Sequence, residues 1–284
     1  MAGALLTHHR QHGLGAHPGD TRGIRWSRSL RAQWCSLWRA WRVRAQNRRR
    51  RLGPGTVPLV GLIAEDLLLL LLDDSTGKAM VDSTALDRVL AGAVLLELAL
   101  DHRIAPAGEG ESIKKGRLAV RNADPTRDEL LDRVLSRLAE DRPRKPEGAI
   151  EKLSGGLRKE LLTRLAARGL VRPEVERALG LFPVTRWPVV DPAYESGLRA
   201  ELTRVLVDGA EPAPRTAALV SLLAAVDAAA KVVPSADRRA VKRRAKELAR
   251  GEWAGAAVRQ AVDAVNGAVA ASIVAVTVAT GSGS

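Results

Sequence analysis

Cysteine occurs once in the 284 residues, at Cys35, as do tyrosine and phenylalanine, and methionine occurs twice. A single cysteine excludes an intrachain disulfide framework. His8, His9, His12 and His17 have no cysteine partner at finger spacing, so they carry no metal-site signature. Beyond residue 55 the chain has one histidine, His102, no cysteine and no glycine-rich phosphate loop. The usual pairings of nucleophile with base, and the usual metal-ligand spacings, are therefore missing. Long apolar runs are missing too. Residues 62–72 and 267–280 are shorter than the roughly 20 residues a helix needs to cross a bilayer. No cofactor or metal is expected.

Acidic residues are scarce only at the start. Residues 1–55 hold twelve arginines against one acid, Asp20, and account for most of the net charge of +13; the remaining 33 basic and 31 acidic residues nearly cancel. Bulk charge therefore gives no support for nucleic-acid binding by the body of the chain. The same 55 residues contain Cys35, four of the six tryptophans and four of the five histidines. A break this sharp places a domain boundary there: a basic Trp/Arg-rich tail over 1–55 and a second unit over 56–284.

Three readings of the tail remain open. Leu30, Trp34, Leu37, Trp38 and Trp41 share one helical face and Arg28, Arg31, Arg39 and Arg42 another, the pattern of a basic interfacial helix. The tail also has the composition of a solvated disordered segment. Alternatively it is not native: arginine outnumbers lysine 36 to 9, as in a GC-rich genome, and Val57 or Val60 could be initiators at GTG codons. It has no continuous apolar core and so is not a signal peptide. A cytoplasmic setting fits the cysteine usage.

What the chain has in abundance is leucine, concentrated over residues 62–100. Residues 62–72 are apolar all round apart from Glu65 and Asp66, which predicts a buried helix. A polar link, Asp73-Asp74-Ser75-Thr76-Gly77-Lys78, turns at Gly77. Its last residues resemble the end of a phosphate loop, but the upstream glycine is absent and a turn is the reading. Thr84 to Asp87 has capping-box spacing and precedes a helical recurrence through Leu86, Val89, Leu90, Ala93 and Val94. Two adjacent core helices follow.

Further on, Arg103-Ile104 and residues 116–121 predict a small edge hairpin, and a helix is expected from Asp124-Pro125 to a stop before Pro143. Residues 154–168, ending at the cap Gly169, bury Leu157, Leu161, Leu162 and Leu165 and turn Arg158, Lys159, Arg164 and Arg168 outward. Residues 170–182 read as a hairpin turning at 172–175, with Val171, Leu179, Leu181 and Phe182 around an exposed connection. Self-association or membrane insertion is expected there. Helices are expected over 191–208, 214–233, 235–250 and 252–280. The fold class is mainly α: one helical domain around a central apolar helix pair, with one or two small β-hairpins.

The carboxylate pairs Glu65-Asp66 and Asp73-Asp74 read as helix-end solvation and capping, since adjacent side chains diverge and no histidine joins them. Glu97, in an apolar helix, reads as paired with a buried arginine. Arg238, Arg239, Lys242, Arg243, Arg244, Lys246 and Arg250 gather on one helix with two acids. That helix reads as a solvated face, a nucleic-acid contact or a surface toward anionic lipid, and its lack of interleaved aromatics disfavours single-stranded nucleic acid.

The strings AEDLLLLLLDDSTGK and VDSTALDRVLAGAVLLELAL, followed in order by LRKELLTRLAARGLV, LGLFPVTRWPV and a last helix from Trp253, carry a resemblance. Over residues 60–280 the chain resembles the bacterial branch of the Golgi phosphoprotein 3 family, whose eukaryotic members include yeast vacuolar sorting protein 74. The resemblance implies a non-enzymatic adaptor, peripheral to the cytoplasmic face of a membrane, that binds phosphatidylinositol 4-phosphate or another anionic headgroup. It also implies a protein cargo and self-association through the 170–182 hairpin.

The family's headgroup pocket uses a tryptophan before the second core helix, an arginine within it, and two arginines three residues apart at the start of the LRKELLTRL-like helix. The corresponding residues here are Asp82, Ala91, Gly155 and Arg158. Only Arg158 matches, with Lys159 and Arg88 as neighbouring charges. The expected partners are anionic or inositol phospholipid headgroups, and no nucleic acid. Two other readings compete: a soluble helical interaction module without lipid affinity, and an enzyme on phosphorylated substrates, for which no nucleophile or base is identifiable.

Overall fold

The computed structural model describes residues 61–178, 182–235, 237–251 and 256–281. The expectations for residues 1–55 lie outside the described residues, as do Leu179 and Leu181.

Helix α1 (Ile63–Leu70) is buried along its whole length, from Ile63 and the leucines to Glu65 and Asp66. An all-round apolar helix needs partners on all sides. α1 has them in α2 (Ser83–Leu100), α5 (Leu157–Ala167), α6 (Pro192–Leu206) and α7 (Pro214–Ala225). Six consecutive leucines, Leu67 to Leu72, are at most 3% exposed. Each fully buried leucine contributes about 1.5–3 kcal/mol, so this short helix is a main source of the core's stability.

The second core helix starts two residues earlier than the Thr84 capping box implies. Asp82 is the N-cap, accepting from the N–H groups of Thr84 at 2.8 Å and Ala85 at 3.1 Å. α2 packs most extensively on α10 (Ala256–Gly281). A Cβ on Gly92 would lie 2.7 Å from Val269 Cγ2, so the glycine permits the close approach of these two helices. Of the apolar stretch 267–280, which reads as part of a core helix, Ala268 and Val269 are buried, as are Val262 and Val265 before it, whereas Ala270, Ala271 and Val274 are exposed. Its expected start at Glu252 lies outside the described residues. No helix among the described residues is long and apolar enough to cross a membrane.

The edge hairpin forms as expected: β1 (Ile104–Pro106) pairs antiparallel with β2 (Leu118–Val120), Ile104 opposite Val120. The helix expected from Asp124-Pro125 begins later, as α3 (Glu129–Glu140), because Asp128 is the residue whose carboxylate caps Leu130 and Leu131. Residues 146–154, unassigned by periodicity, form a separate helix, α4 (Pro146–Ser154), with Pro146 at its first turn. The left-handed Gly156, φ 81°, separates α4 from α5.

The second hairpin has a different register from the sequence reading. β3 (Glu174–Ala178) pairs with β4 (Phe182–Arg186), Ala178 opposite Phe182, so residues 172–175 lead into a strand instead of forming the turn. Val171, expected on the apolar surface of this hairpin, is 2% exposed and bridges Val189 at its base. It belongs to the core. The exposed apolar side chain described on the hairpin is Val175, 70% exposed.

The predicted helix over 214–233 is broken. α7 ends at Ala225, Asp227 takes a positive φ of 50°, and a one-turn α8 (Ala229–Val232) follows. α6 and α9 (Arg238–Leu248) start behind the N-caps Asp191 and Asp237, close to their expected positions. Their carboxylates accept from Ala193 and Ala240 N–H respectively.

Candidate functional site

Of the headgroup residues inferred from the sequence, Arg158 is the one that joins the start of α5 to the start of α2. Gly156, the N-cap of α5, turns the chain so that Arg158 falls in the first turn of that helix. Its guanidinium crosses to α2: Nε donates to Asp87 Oδ1 at 2.7 Å, and Nη2 donates to the Ser83 carbonyl and hydroxyl, each at 2.8 Å. Nη2 also lies 2.7 Å from Asp87 Oδ2. Arg158 therefore spends its Nε and Nη2 donors within the protein. The Asp82 carboxyl is held below the usual range by the Ala85 and Thr84 N–H groups and further by Arg158.

Of the four positions that align with the family pocket, Ala91 is fully buried in α2 and faces no ligand space. Asp82 is exposed and engaged as a cap, and Gly155 is exposed. A Cβ on Gly155 or Gly156 would meet nothing within 4 Å, so the backbone there is open to an approaching group. Lys159 is exposed and Arg88 half-buried. Among the described residues neither side chain has a hydrogen bond or ion pair. The uncapped N-terminus of α5, with free N–H groups, and the N-terminus of α2, whose first N–H groups are taken by Asp82, thus lie at the ends of one internally paired arginine.

A second polar cluster lies at the start of α1 and differs from the sequence reading. Glu65 and Asp66, expected as solvated helix-end acids, are 2% and 1% exposed. Glu65 accepts from the Leu62 N–H at 3.0 Å, which is the expected capping. It also accepts from Arg164 at 2.6 Å and Arg168 at 2.8 Å, the two arginines expected on the outer face of α5. Arginine's long stem lets the head reach an anion that the helix face alone does not predict. Arg164 also bonds Asp128, so the cap of α3 is joined to the same pair.

Asp66 accepts from Tyr194 Oη at 2.6 Å, with the Arg168 guanidinium 5.3 Å from the tyrosine ring centre. Arg215, from α7, bridges Asp66, Glu97 and the Gly61 carbonyl. Glu97 is paired with a buried arginine as read from the sequence, and it also accepts from the Ile63 N–H. Burial pushes the Asp66 and Glu97 carboxyls upward, with Tyr194 and Arg215 respectively opposing it. A Cβ on Gly61 would meet Arg168 Nη1 at 2.7 Å and both acids near 3.0 Å. Every carboxylate here is claimed by an arginine, a tyrosine or a backbone N–H, which makes the cluster a fastening for five helices, α1, α2, α5, α6 and α7.

Asp73 and Asp74 are capping and pairing groups. Asp73 Oδ1 accepts from the N–H and hydroxyl of both Ser75 and Thr76, which holds its carboxyl down at about 2, and Asp74 meets Arg199. The run ending at Lys78 is a turn, as expected. Among the described residues no group of His, Cys, Asp or Glu is placed to hold a metal ion.

Residues 63–265 match the family Golgi phosphoprotein 3 (GPP34), and the chain belongs to that family. A comparison with curated proteins finds no match.

Proposed function

We propose that the protein is a non-enzymatic peripheral membrane adaptor that recognises anionic phospholipid headgroups, inositol lipids among them, and holds a protein cargo at the membrane. Family membership supports the membrane role. The observation that carries it is the junction of α2 and α5, where unpaired Arg88 and Lys159 flank two helix N-termini beside the open backbone of Gly155 and Gly156. A phosphate arriving there would meet the cations Arg88 and Lys159 and the uncapped N–H groups of α5, with Arg158 orienting the two helices by its bonds to Asp87 and Ser83.

Sedimentation with vesicles of phosphatidylcholine alone, with phosphatidylserine, and with phosphatidylinositol 4-phosphate tests this reading. Binding is expected only with the anionic lipids, and replacing Arg88 and Lys159 together by alanine is expected to weaken it about ten-fold or more, at roughly 1.5–3 kcal/mol for charge-assisted contacts. Equal binding by parent and variant would overturn the site.

A second reading is favoured by the occupancy of Arg158: with its donors already on Asp87 and Ser83, the domain would act as a soluble helical interaction module. Binding to none of the vesicles would select it.

A further inference from the structure

We propose that the outer face of α9 is an electrostatic docking surface for an anionic bilayer, separate from the headgroup site at the α2–α5 junction. The inference rests on the membrane-adaptor reading and adds a second contact to it. α9 divides cleanly. Val241, Ala245 and Leu248 are buried against α7 and α8, while Arg238, Arg239, Arg243, Lys246 and Arg250 are exposed. Arg239, Arg243, Lys246 and Arg250 recur at spacings of four, three and four, which places them in one stripe along the helix.

In a solvated face, cations of this density usually find acids within the helix or across a neighbour. Here the neutralising contacts go to other residues: Lys242 pairs with Asp227 at 2.6 Å, and Arg244 lies 3.5 Å from Glu247. The five exposed cations have no hydrogen bond or ion pair from their side chains among the described residues. Arg239, Lys242, Arg243, Lys246 and Arg250, with Glu247 as the one acid, line a shallow open cleft. Like charges held this close repel, and an external anionic surface relieves that repulsion.

The choice of a bilayer over a nucleic acid follows from the shape and chemistry of the face. It is a single helix exposed along its length and carries no aromatic side chain for base stacking. Its position agrees. α9 packs on α8, and Lys231 of α8 donates to the Met80 carbonyl at 3.1 Å, two residues before the N-cap of the helix that Arg158 grips. The element on which α9 packs is thus tied to the segment that leads into α2.

All nine lysines lie beyond the arginine-rich first 55 residues, so amine labelling reads the folded domain without interference from the tail. The test is acetylation of the full chain, read by peptide mass spectrometry, with and without phosphatidylserine vesicles. Labelling of Lys246 is expected to fall several-fold, while Lys114 on the exposed connection between β1 and β2 stays labelled. Replacing Arg239, Arg243 and Lys246 by glutamine should lower vesicle partitioning roughly a hundred-fold at low salt, from about five-fold per basic residue near an anionic surface.

Unchanged Lys246 labelling with vesicles bound, or absence of any vesicle binding, overturns the proposal. So does parent-like partitioning of the triple variant, or protection by duplex DNA without protection by vesicles. Protection of Lys159 alone leaves the headgroup reading standing and removes this one. Protection of Lys246 alone does the reverse.

Discussion

Arg158 closes on Asp87 with Nε and Nη2 each 2.7 Å from a carboxylate oxygen, and the same side chain reaches the Ser83 carbonyl. The start of α5 is thereby tied to the start of α2. A freely exposed arginine could be truncated at little cost, but one that bridges two core helices cannot. Arg158→Ala is expected to destabilise the domain by about 1–2 kcal/mol, at the upper end for a partly exposed pair because a backbone carbonyl also loses its donor. Arg158→Lys, which keeps the charge and loses the planar fork, should fall between. An unchanged urea midpoint for the alanine variant would show that the bridge is not formed in solution.

Arg215 holds Glu97 and Asp66 together beneath the first turn of α1. Removing the arginine leaves two buried carboxylates short of a cation, and Arg215→Leu is expected to destabilise by about 3–5 kcal/mol. Replacing Glu97 by leucine as well removes one of the stranded charges and should recover part of the loss. Additive effects in the double-mutant cycle, read by denaturant unfolding, would contradict the coupling drawn from the geometry.

The Glu97 pairing was legible in the sequence because a lone acid in an apolar helix must find a partner. Arg164 and Arg168 were not, because leucine periodicity fixes which way a helix faces but not where a long side chain bends. Asp82 and Asp128 illustrate a second limit. Several Asp, Ser and Thr residues precede each helix, all competent caps, and only the three-dimensional path selects one. The hairpin register failed for a related reason. Apolar residues at 170–171 and 179–182 bracket a plausible turn, yet Val171 is drawn into the core by its bridge to Val189 and the strands begin three residues later. At the candidate site, the family resemblance pointed to Arg158, while its pairing with Asp87 depends on residues 71 apart that local pattern cannot relate.

Gly77 marks a contact between the first core helix pair and the exit of the second hairpin. It sits at φ +59°, and a Cβ there would lie 2.4 Å from the Trp187 amide nitrogen. Gly77→Ala is therefore expected to destabilise by about 1–3 kcal/mol, through both the left-handed backbone and the clash. It should also speed amide exchange at Arg172, whose N–H donates to the Pro188 carbonyl next to the same contact. A variant with parent-like thermal stability would mean that the loop does not pack on Trp187.

The boundary near residue 55 is testable by truncation. The first 55 residues carry +11 of the +13 charge and none of the family match. A chain starting at Thr56 is expected to unfold cooperatively within a few degrees of the full chain, since charge in a separate segment adds little to burial in the core. Loss of cooperativity would place part of the domain's stability upstream of Thr56.

The last prediction concerns pH. Glu195 in α6 is 2% exposed, and burial pushes its carboxyl up to about 7, against the opposing pull of Arg199, which donates to it at 2.9 Å, and with Asp74 adding to the rise. Below the ordinary carboxylate range near 4.5 both folded and unfolded chains hold the proton, and the group does not alter the balance. Between about 4.5 and 7 the folded chain retains a proton that the unfolded chain releases, so stability falls as pH rises through this window and levels off above it. The change due to this one group is about 2–4 kcal/mol. Asp66 and Glu97 are raised by burial too, so the parent's profile alone does not isolate Glu195. The difference between the parent and Glu195→Gln does: glutamine cannot titrate, and the variant should lose most of the decline between pH 5 and 7. Parallel stability profiles for the two proteins across that range, from urea unfolding at each pH, would rule out a proton on Glu195 in the folded state.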